Sequence, residues 1–345
     1  NLPSARAGLE ALAALPRRQA AVMLLSAVAF VAAPFVVSNY WLYWICLMAI
    51  NVISATGLNI LTGYTGLASL GQAAFMGVGA YTVALLQQHL PLPFPLALLA
   101  AGLVAAAIGL VVGMPSLRVK GLYLAIATIA ASVVLEFVFT NWQSVTNGTK
   151  GLTLAPARFF GTALDQPKQL YWVIVPTAIV LVAMAGNLFR TRVGRAFIAI
   201  RDRDISAEVL GIPLLRYKLM SFGLASFYAG VAGGLWAFFF RVVTPDAFPI
   251  VLSIFFLAAI IVGGLGTIAG GVIGAIFMTL VPELLRLVFG LLTAWVPDAM
   301  AVIPSVRSII FGALIVGFLL FEPQGIAAIL ARLSPRSRAR DQAPR

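Results

Sequence analysis

The chain has 345 residues, of which 61% are hydrophobic and only 10% charged, with a mean hydropathy of +1.02. A soluble domain carries roughly 25% charged residues, so this chain cannot cover a soluble core of its size and reads as an all-α polytopic membrane protein. The net charge of +12 does not point to nucleic acid, because the basic residues sit in short loops between apolar runs, with no aromatic-interleaved basic module.

A helix needs about 20 apolar residues to cross the hydrocarbon core. Ten spans are predicted, near 20–37, 40–61, 67–88, 94–114, 121–140, 170–189, 216–240, 248–264, 268–289 and 303–321. Residues 1–19 form an N-terminal segment, 20–321 the transmembrane domain, and 322–345 a C-terminal tail. The first span follows Arg17 and Arg18, as a signal peptide would. No A-x-A-like site lies immediately before Asn39 and further spans follow at once, so it is expected to be retained. Cys46 is the only cysteine and lies in an apolar setting, which suggests inert packing.

The stretch from Gly57 to Tyr81, GLNILTGYTGLASLGQAAFMGVGAY, is apolar but broken by glycines, among them Gly63, Gly66 and Gly71. Asn59, Ser69 and Gln72 add polar groups at membrane depth. A broken helix is tolerable in a bilayer only where protein or a water-lined cavity satisfies the freed backbone. Such a segment is a pointer to a transport path, and these six residues are the candidates for lining it. Tight helix packing that needs small residues is the alternative.

Two connections are long. The outer one, 141–169, contains TNGTKGLTLAP, whose composition predicts an ordered turn. Asn147, Gly148, Thr149 and Lys150 are its candidate docking residues for a delivery protein, with a plain solvated loop as the alternative. The inner one, 190–218, predicts two short helices, the second capped by Asp204 and stopped by Gly211 and Pro213. Phe197 and Ile200 alternate with Arg195 and Arg201, and Asp202, Asp204 and Glu208 interleave acidic charge. That mixture suits docking to a soluble protein better than resting on anionic lipid, the competing reading.

Further along, Ser226, Gly230 and Gly234 recur every four residues, as do Gly266, Gly270 and Gly274, a spacing that builds a groove for a neighbouring helix. Pro176 and Pro282 fall inside spans and predict kinks. The region 248–289 reads as two spans or as a re-entrant element. With both termini inside, 17 of the 23 Lys and Arg lie on the cytoplasmic side, as the positive-inside bias requires. Gly263, Gly266, Gly271 and Gly274 echo Gly63, Gly66, Gly71 and Gly77. An inverted repeat is one reading of that echo, shared composition the other.

Catalytic chemistry is nearly absent. His89 is the sole histidine, so no His-based metal cluster or triad can form. No lysine follows a glycine, which excludes a P-loop. The match of Gly264, Gly266 and Ala269 to a dinucleotide fingerprint lacks the strand context and is a decoy. Glu283 and Arg286, three residues apart, can neutralise one another.

The motifs GLNILTGYTGLASLGQAAFMGVGAYTVALL, RVKGLYLAIATIA, TNGTKGL, GRAFIAIRDRDISAEVLGIPLLRYKLMSFGLAS and GGLGTIAGGVIGA occur in this order between residues 50 and 330. Together they resemble the permease subunits of branched-chain amino acid ABC importers, of the LivM type. The resemblance implies that Arg195 through Gly211 form coupling helices against an ATPase. It implies a homologous LivH-type permease, two ATP-binding subunits, a periplasmic binding protein and surrounding membrane lipid as partners. It places the chain as a multi-pass, non-catalytic subunit in a bacterial inner membrane, with no cofactor. Many relatives have His where this chain has Gln72, and the superfamily also serves urea, short amides and aromatic acids, so the substrate stays open. An ion-coupled transporter working alone is the competing class, with Glu283 as its candidate carboxylate.

Overall fold

A computed structural model describes residues 34–90, 92–117, 121–159 and 162–292, with Phe30, Ala32 and scattered positions between 306 and 327. Helix α1 (Asn39–Leu58) runs on through a π-helical turn, Asn59–Tyr64. After a non-helical stretch come α2 (Gln72–His89), α3 (Phe94–Gly113), α4 (Leu122–Asn141) and the short α5 (Gln143–Thr146). The outer connection carries strands β1 (Leu152–Thr153), β2 (Ala157–Phe159) and β3 (Thr162–Leu164). Then follow α6 (Pro167–Arg190), α7 (Arg192–Asp202), α8 (Asp204–Val209) and α9 (Leu214–Phe240). Strand β4 (Val242–Val243), α10 (Ile250–Gly263) and α11 (Ile268–Leu292) complete the series.

Eight of the ten predicted spans coincide with helices, while 20–37 and 303–321 lie outside the described residues apart from isolated positions. Seven described helices are long and apolar enough to cross a membrane. The exception is α2, which starts at Gln72 rather than near 67. Most of its residues are buried against other helices, so it can be less apolar than a lipid-facing helix. The region 248–289 forms two helices joined by a tight turn. At 1.5 Å per residue, α11 is about 37 Å long and α10 only about 21 Å. Both α6 and α11 run through their internal prolines, Pro176 and Pro282. The all-α expectation fails only outside the spans, where β1 pairs antiparallel with β4 and β2 with β3.

Helices α1 and α9 form the centre of the bundle. Both are mostly buried, whereas α4 and α6 turn most of their residues outward. Apolar burial does not drive helix association in lipid, so close van der Waals packing must. A Cβ on Gly233 of α9 would strike the Met76 carbonyl of α2, and one on Gly79 of α2 would strike the Gly230 carbonyl. The two backbones are in direct contact. The predicted stripe Ser226–Gly230–Gly234 does face neighbours: Gly230 lies against Ala101 of α3, and Gly234 against Leu98 and Val83. The second stripe is split. Gly270 and Gly274 pack on the end of α10, but Gly266 has left the helix for the turn at φ +72.

The two glycine-rich segments that echo one another meet in the fold. The break after α1 and the turn after α10 lie at the same end of the bundle and touch, with the Gly266 amide donating to Asn59 Oδ1 at 3.0 Å.

Two outcomes follow from this packing. Gly233→Val should overpack the α2–α9 contact by about 1–3 kcal/mol or more, lowering the melting temperature of the detergent-purified protein by roughly 5 °C. Orientation is checked separately. Helix α9 is about 40 Å long; α8 precedes its start, and β4 after its end pairs with β1, which closely follows Lys150. Reporter fusions after Arg203 and after Lys150 should therefore report opposite sides of the membrane.

Candidate functional site

Thr65 to Gly71 leaves helical geometry inside a bundle of apolar helices, and Gly66 takes φ +75. Side chains of α4 meet its backbone, and the two residues that follow it are tied to α10 and α1. Thr128 Oγ1 of α4 accepts from the Leu70 amide at 2.9 Å, and Ser132 Oγ donates to the Leu70 carbonyl at 3.3 Å. Ser253 Oγ of α10 accepts from the Ala73 amide at 2.9 Å. The side chain of Gln72 donates to the Ser54 carbonyl of α1 at 2.8 Å. Within the break, Ser69 Oγ accepts from the Gly71 amide, and Thr65 donates to the Ile60 carbonyl.

The polar residues singled out in the sequence are thus buried and engaged within the chain. Asn59 clamps the α10–α11 turn: its amide nitrogen donates to the Thr267 carbonyl at 2.7 Å while its oxygen holds the Gly266 amide. A Cβ on Gly63 would collide with Asn59 and fall 2.5 Å from the Gly266 nitrogen. Gly66 alone of the six candidates is exposed. Sequence reasoning missed Thr128, Ser132 and Ser253. Their signal was present: single hydroxyls in otherwise apolar spans, which in lipid need a partner.

Helices α7 and α8 form as predicted, but their faces divide differently. Phe197 (0% exposed) and Ile200 (4%) are buried in this chain, with Phe197 edge-on to Tyr217 of α9. They cannot fill a partner's groove. The exposed apolar side chains are Ile205, Val209 (83%) and Leu210 (80%), on or just after α8. Asp202 and Glu208 are exposed beside them. Asp204 opens α8, its Oδ1 accepting from the Ile205 amide, and Lys218 of α9 lies 4.0 Å from its other oxygen. Gly211 follows at φ +83 and donates to the Glu208 carbonyl. Arg195 is exposed on α7, with its guanidinium near the Arg190 carbonyl. Arg201 turns the other way, donating to the Gly63 carbonyl at 3.2 Å.

At the opposite end the predicted ordered turn is present. Asn147 adopts φ 59, ψ 16 and its side chain donates to the Gly151 carbonyl at 3.0 Å. Gly148 is buried against the Thr140 carbonyl, so it shapes the turn, while Asn147, Thr149 and Lys150 are exposed. Arg241 and Asp165 close the outer connection with a 2.9 Å ion pair. Glu283 is 2% exposed, accepts from the Tyr40 hydroxyl, and pairs with Arg286 at 3.2 Å. That carboxylate is held in a structural cluster between α1 and α11.

The comparisons with known proteins agree with this architecture. The family model described as "Branched-chain amino acid transport system / permease component" matches residues 40–319. The chain is 33% identical over 280 residues to the high-affinity branched-chain amino acid transport system permease protein LivM of Escherichia coli K12, and 32% identical to that of Salmonella typhimurium. Each match covers 74% of this chain and 66% of the relative, just under two thirds of its length. A probable branched-chain amino acid transport permease protein LivH of Methanocaldococcus jannaschii is 29% identical over 231 residues, covering 65% of this chain and 73% of the relative. No solved structure matches. With seven helices able to cross a membrane and a family match over most of its length, this chain belongs to the permease components of branched-chain amino acid transport systems.

Proposed function

We propose that this chain is the transmembrane permease subunit of an ATP-driven importer in a bacterial inner membrane. It forms, with a homologous LivH-type permease, the path for branched-chain amino acids delivered by a periplasmic binding protein. Two ATP-binding subunits dock on the cytoplasmic side and supply the energy, and this chain performs no catalysis. The observation that carries the reading is α8: a short helix held at one end of the bundle by Lys218, presenting Ile205, Val209 and Leu210 beside Asp202 and Glu208. An apolar centre rimmed by charge is the anatomy of a protein interface. The exposed rim mixes Asp202 and Glu208 with Arg203, where a lipid-resting helix would favour a purely basic one.

The break at Thr65–Gly71 abuts the translocation path in this reading. Gly66 and the partly exposed Thr62, Ala68 and Leu70 form its free edge, while Asn59, Gly63, Ser69, Gly71 and Gln72 hold its shape. Alternating access then consists of small movements of a segment already free of helical geometry. Gln72 uses its amide on Ser54, so this position lends no support to a different substrate class. The turn at Asn147–Lys150 offers the exposed edge for the binding protein. Glu283, already paired, gives an ion-coupled transporter no free carboxylate to work with.

Val209→Asp or Leu210→Asp should weaken the hold on the ATP-binding subunits by about 2 kcal/mol, the scale of an interface hot spot. Co-purification through a tag on this chain reads that loss directly; retention at native stoichiometry would remove α8 from the interface. Within the break, a Cβ on Gly71 already lies 3.2 Å from the Phe75 ring and 3.6 Å from Ser132 Oγ. Gly71→Leu should cut radiolabelled leucine uptake at least tenfold while the complex still assembles. Uptake at the native rate would make the glycine a dispensable spacer.

A further inference from the structure

Arg201 is the last arginine of α7, and although its side chain is partly exposed it also reaches inward to the bundle. Its stem lies over Gly66, where an added Cβ would sit 3.0 Å from Cγ. Its guanidinium donates to the Gly63 carbonyl at 3.2 Å, and a Cβ on Gly266 would fall 2.7 Å from the same nitrogen. Its Nε donates to Asp202 Oδ1 at 3.1 Å, which fixes the head against its own helix. One side chain therefore touches the π-helical turn after α1, the break that follows it, and the turn between α10 and α11.

Those three contacts are chemically suited to carrying a displacement. A π-helical turn is a common feature of functional sites because its backbone can shift register. Gly66 and Gly266 both have positive φ, so no Cβ stands between the arginine and either backbone. Asn59 already ties the π turn to Gly266 and Thr267, so whatever moves Gly63 also moves the α10–α11 turn. Phe197 and Ile200 bury the inner face of α7 against the rest of the chain, so the helix is in packing contact with the bundle that Arg201 enters.

We propose that Arg201 is the positioning residue that transmits movement of α7–α8 to the glycine break and to the α10–α11 turn. The proposal rests on the ATP-driven reading above and deepens it. Arg201 was grouped by sequence with the ATPase-facing residues; the geometry assigns it the inward contact instead, with docking left to α8.

The test is amide hydrogen exchange on the purified full complex, nucleotide-free and trapped with ATP and vanadate. In the native complex, exchange should change on trapping both in α7–α8 and in residues 59–66 and 264–267. Arg201→Met keeps the stem over Gly66 and removes the guanidinium. It should leave the α7–α8 response in place and reduce the change at 59–66 and 264–267 at least threefold. Arg201→Lys restores a cation without the planar fork and should recover about half of the lost response, which a merely structural role would not grade this way. A native-sized response at 59–66 in Arg201→Met overturns the proposal. So does loss of the ATP-binding subunits from that variant, which would make Arg201 a docking residue, and so does failure of both variants to assemble, which would make it a packing residue. A native complex in which α7–α8 responds and 59–66 does not overturns it as well. A native complex that carries no ATP-binding subunits overturns the proposed function itself, a result distinct from all of these.

Discussion

Inside a bilayer the backbone has no water to turn to, and an unsatisfied amide or carbonyl costs several kcal/mol. Thr65 to Gly71 takes that risk within the bundle. A handful of orphaned groups there would consume a typical net stability of about 5–15 kcal/mol. Thr128 and Ser132 answer this demand at Leu70, the Leu61 carbonyl and the Thr62 hydroxyl answer it at Leu67, and Ser253 and Ser54 hold the two residues that follow. Helix α4 must stand where its hydroxyls reach Leu70, and α10 and α1 where they meet Ala73 and Gln72, so the break and the start of α2 together constrain three other helices.

Glycine serves two separate ends in this fold. On α2 and α9 it removes side chains where backbones touch, as Gly79 and Gly233 do. In lipid this is how dispersion replaces the hydrophobic effect as the force between helices. At Gly66 and Gly266 it allows a backbone conformation closed to other residues, and the same vacancy admits the side chain of Arg201. The first use brings the backbones of α2 and α9 into direct contact. The second leaves a junction of turns at one end of the bundle, next to α7 and α8.

Much of the candidate site was legible in the chain. The glycine-broken segment, the two short helices of 190–218 and the ordered outer turn all rest on local chemistry: breakers, caps and a residue fit for positive φ. Gly211 ends α8 with the positive φ glycine allows, while Asp204 is the first residue of α8 rather than its N-cap, its carboxylate accepting from the Ile205 amide. The partition of faces was not legible. Phe197, Ile200, Ile205 and Val209 look alike by spacing, yet the first two are buried and the last two exposed. The first two lie on α7, packed against the bundle with Phe197 on Tyr217 of α9, and the last two on α8, which turns Ala207 inward instead; only the packed positions of the two helices decide this.

Sequence by itself determined the solvent of this protein, the places of its described membrane helices, and where they are interrupted. Those follow from hydropathy and from residues whose backbone preferences are local. Tertiary structure decided the partners: that Gln72 bonds to Ser54, that Asn59 holds the turn at Gly266, and that Arg201 points at Gly63. Asn59 and Gly266 stand over two hundred positions apart, and no periodicity encodes which distant turn a polar group will meet. In a bundle where every span is apolar, identity is set by the few polar groups, and their pairing exists only once the helices have packed.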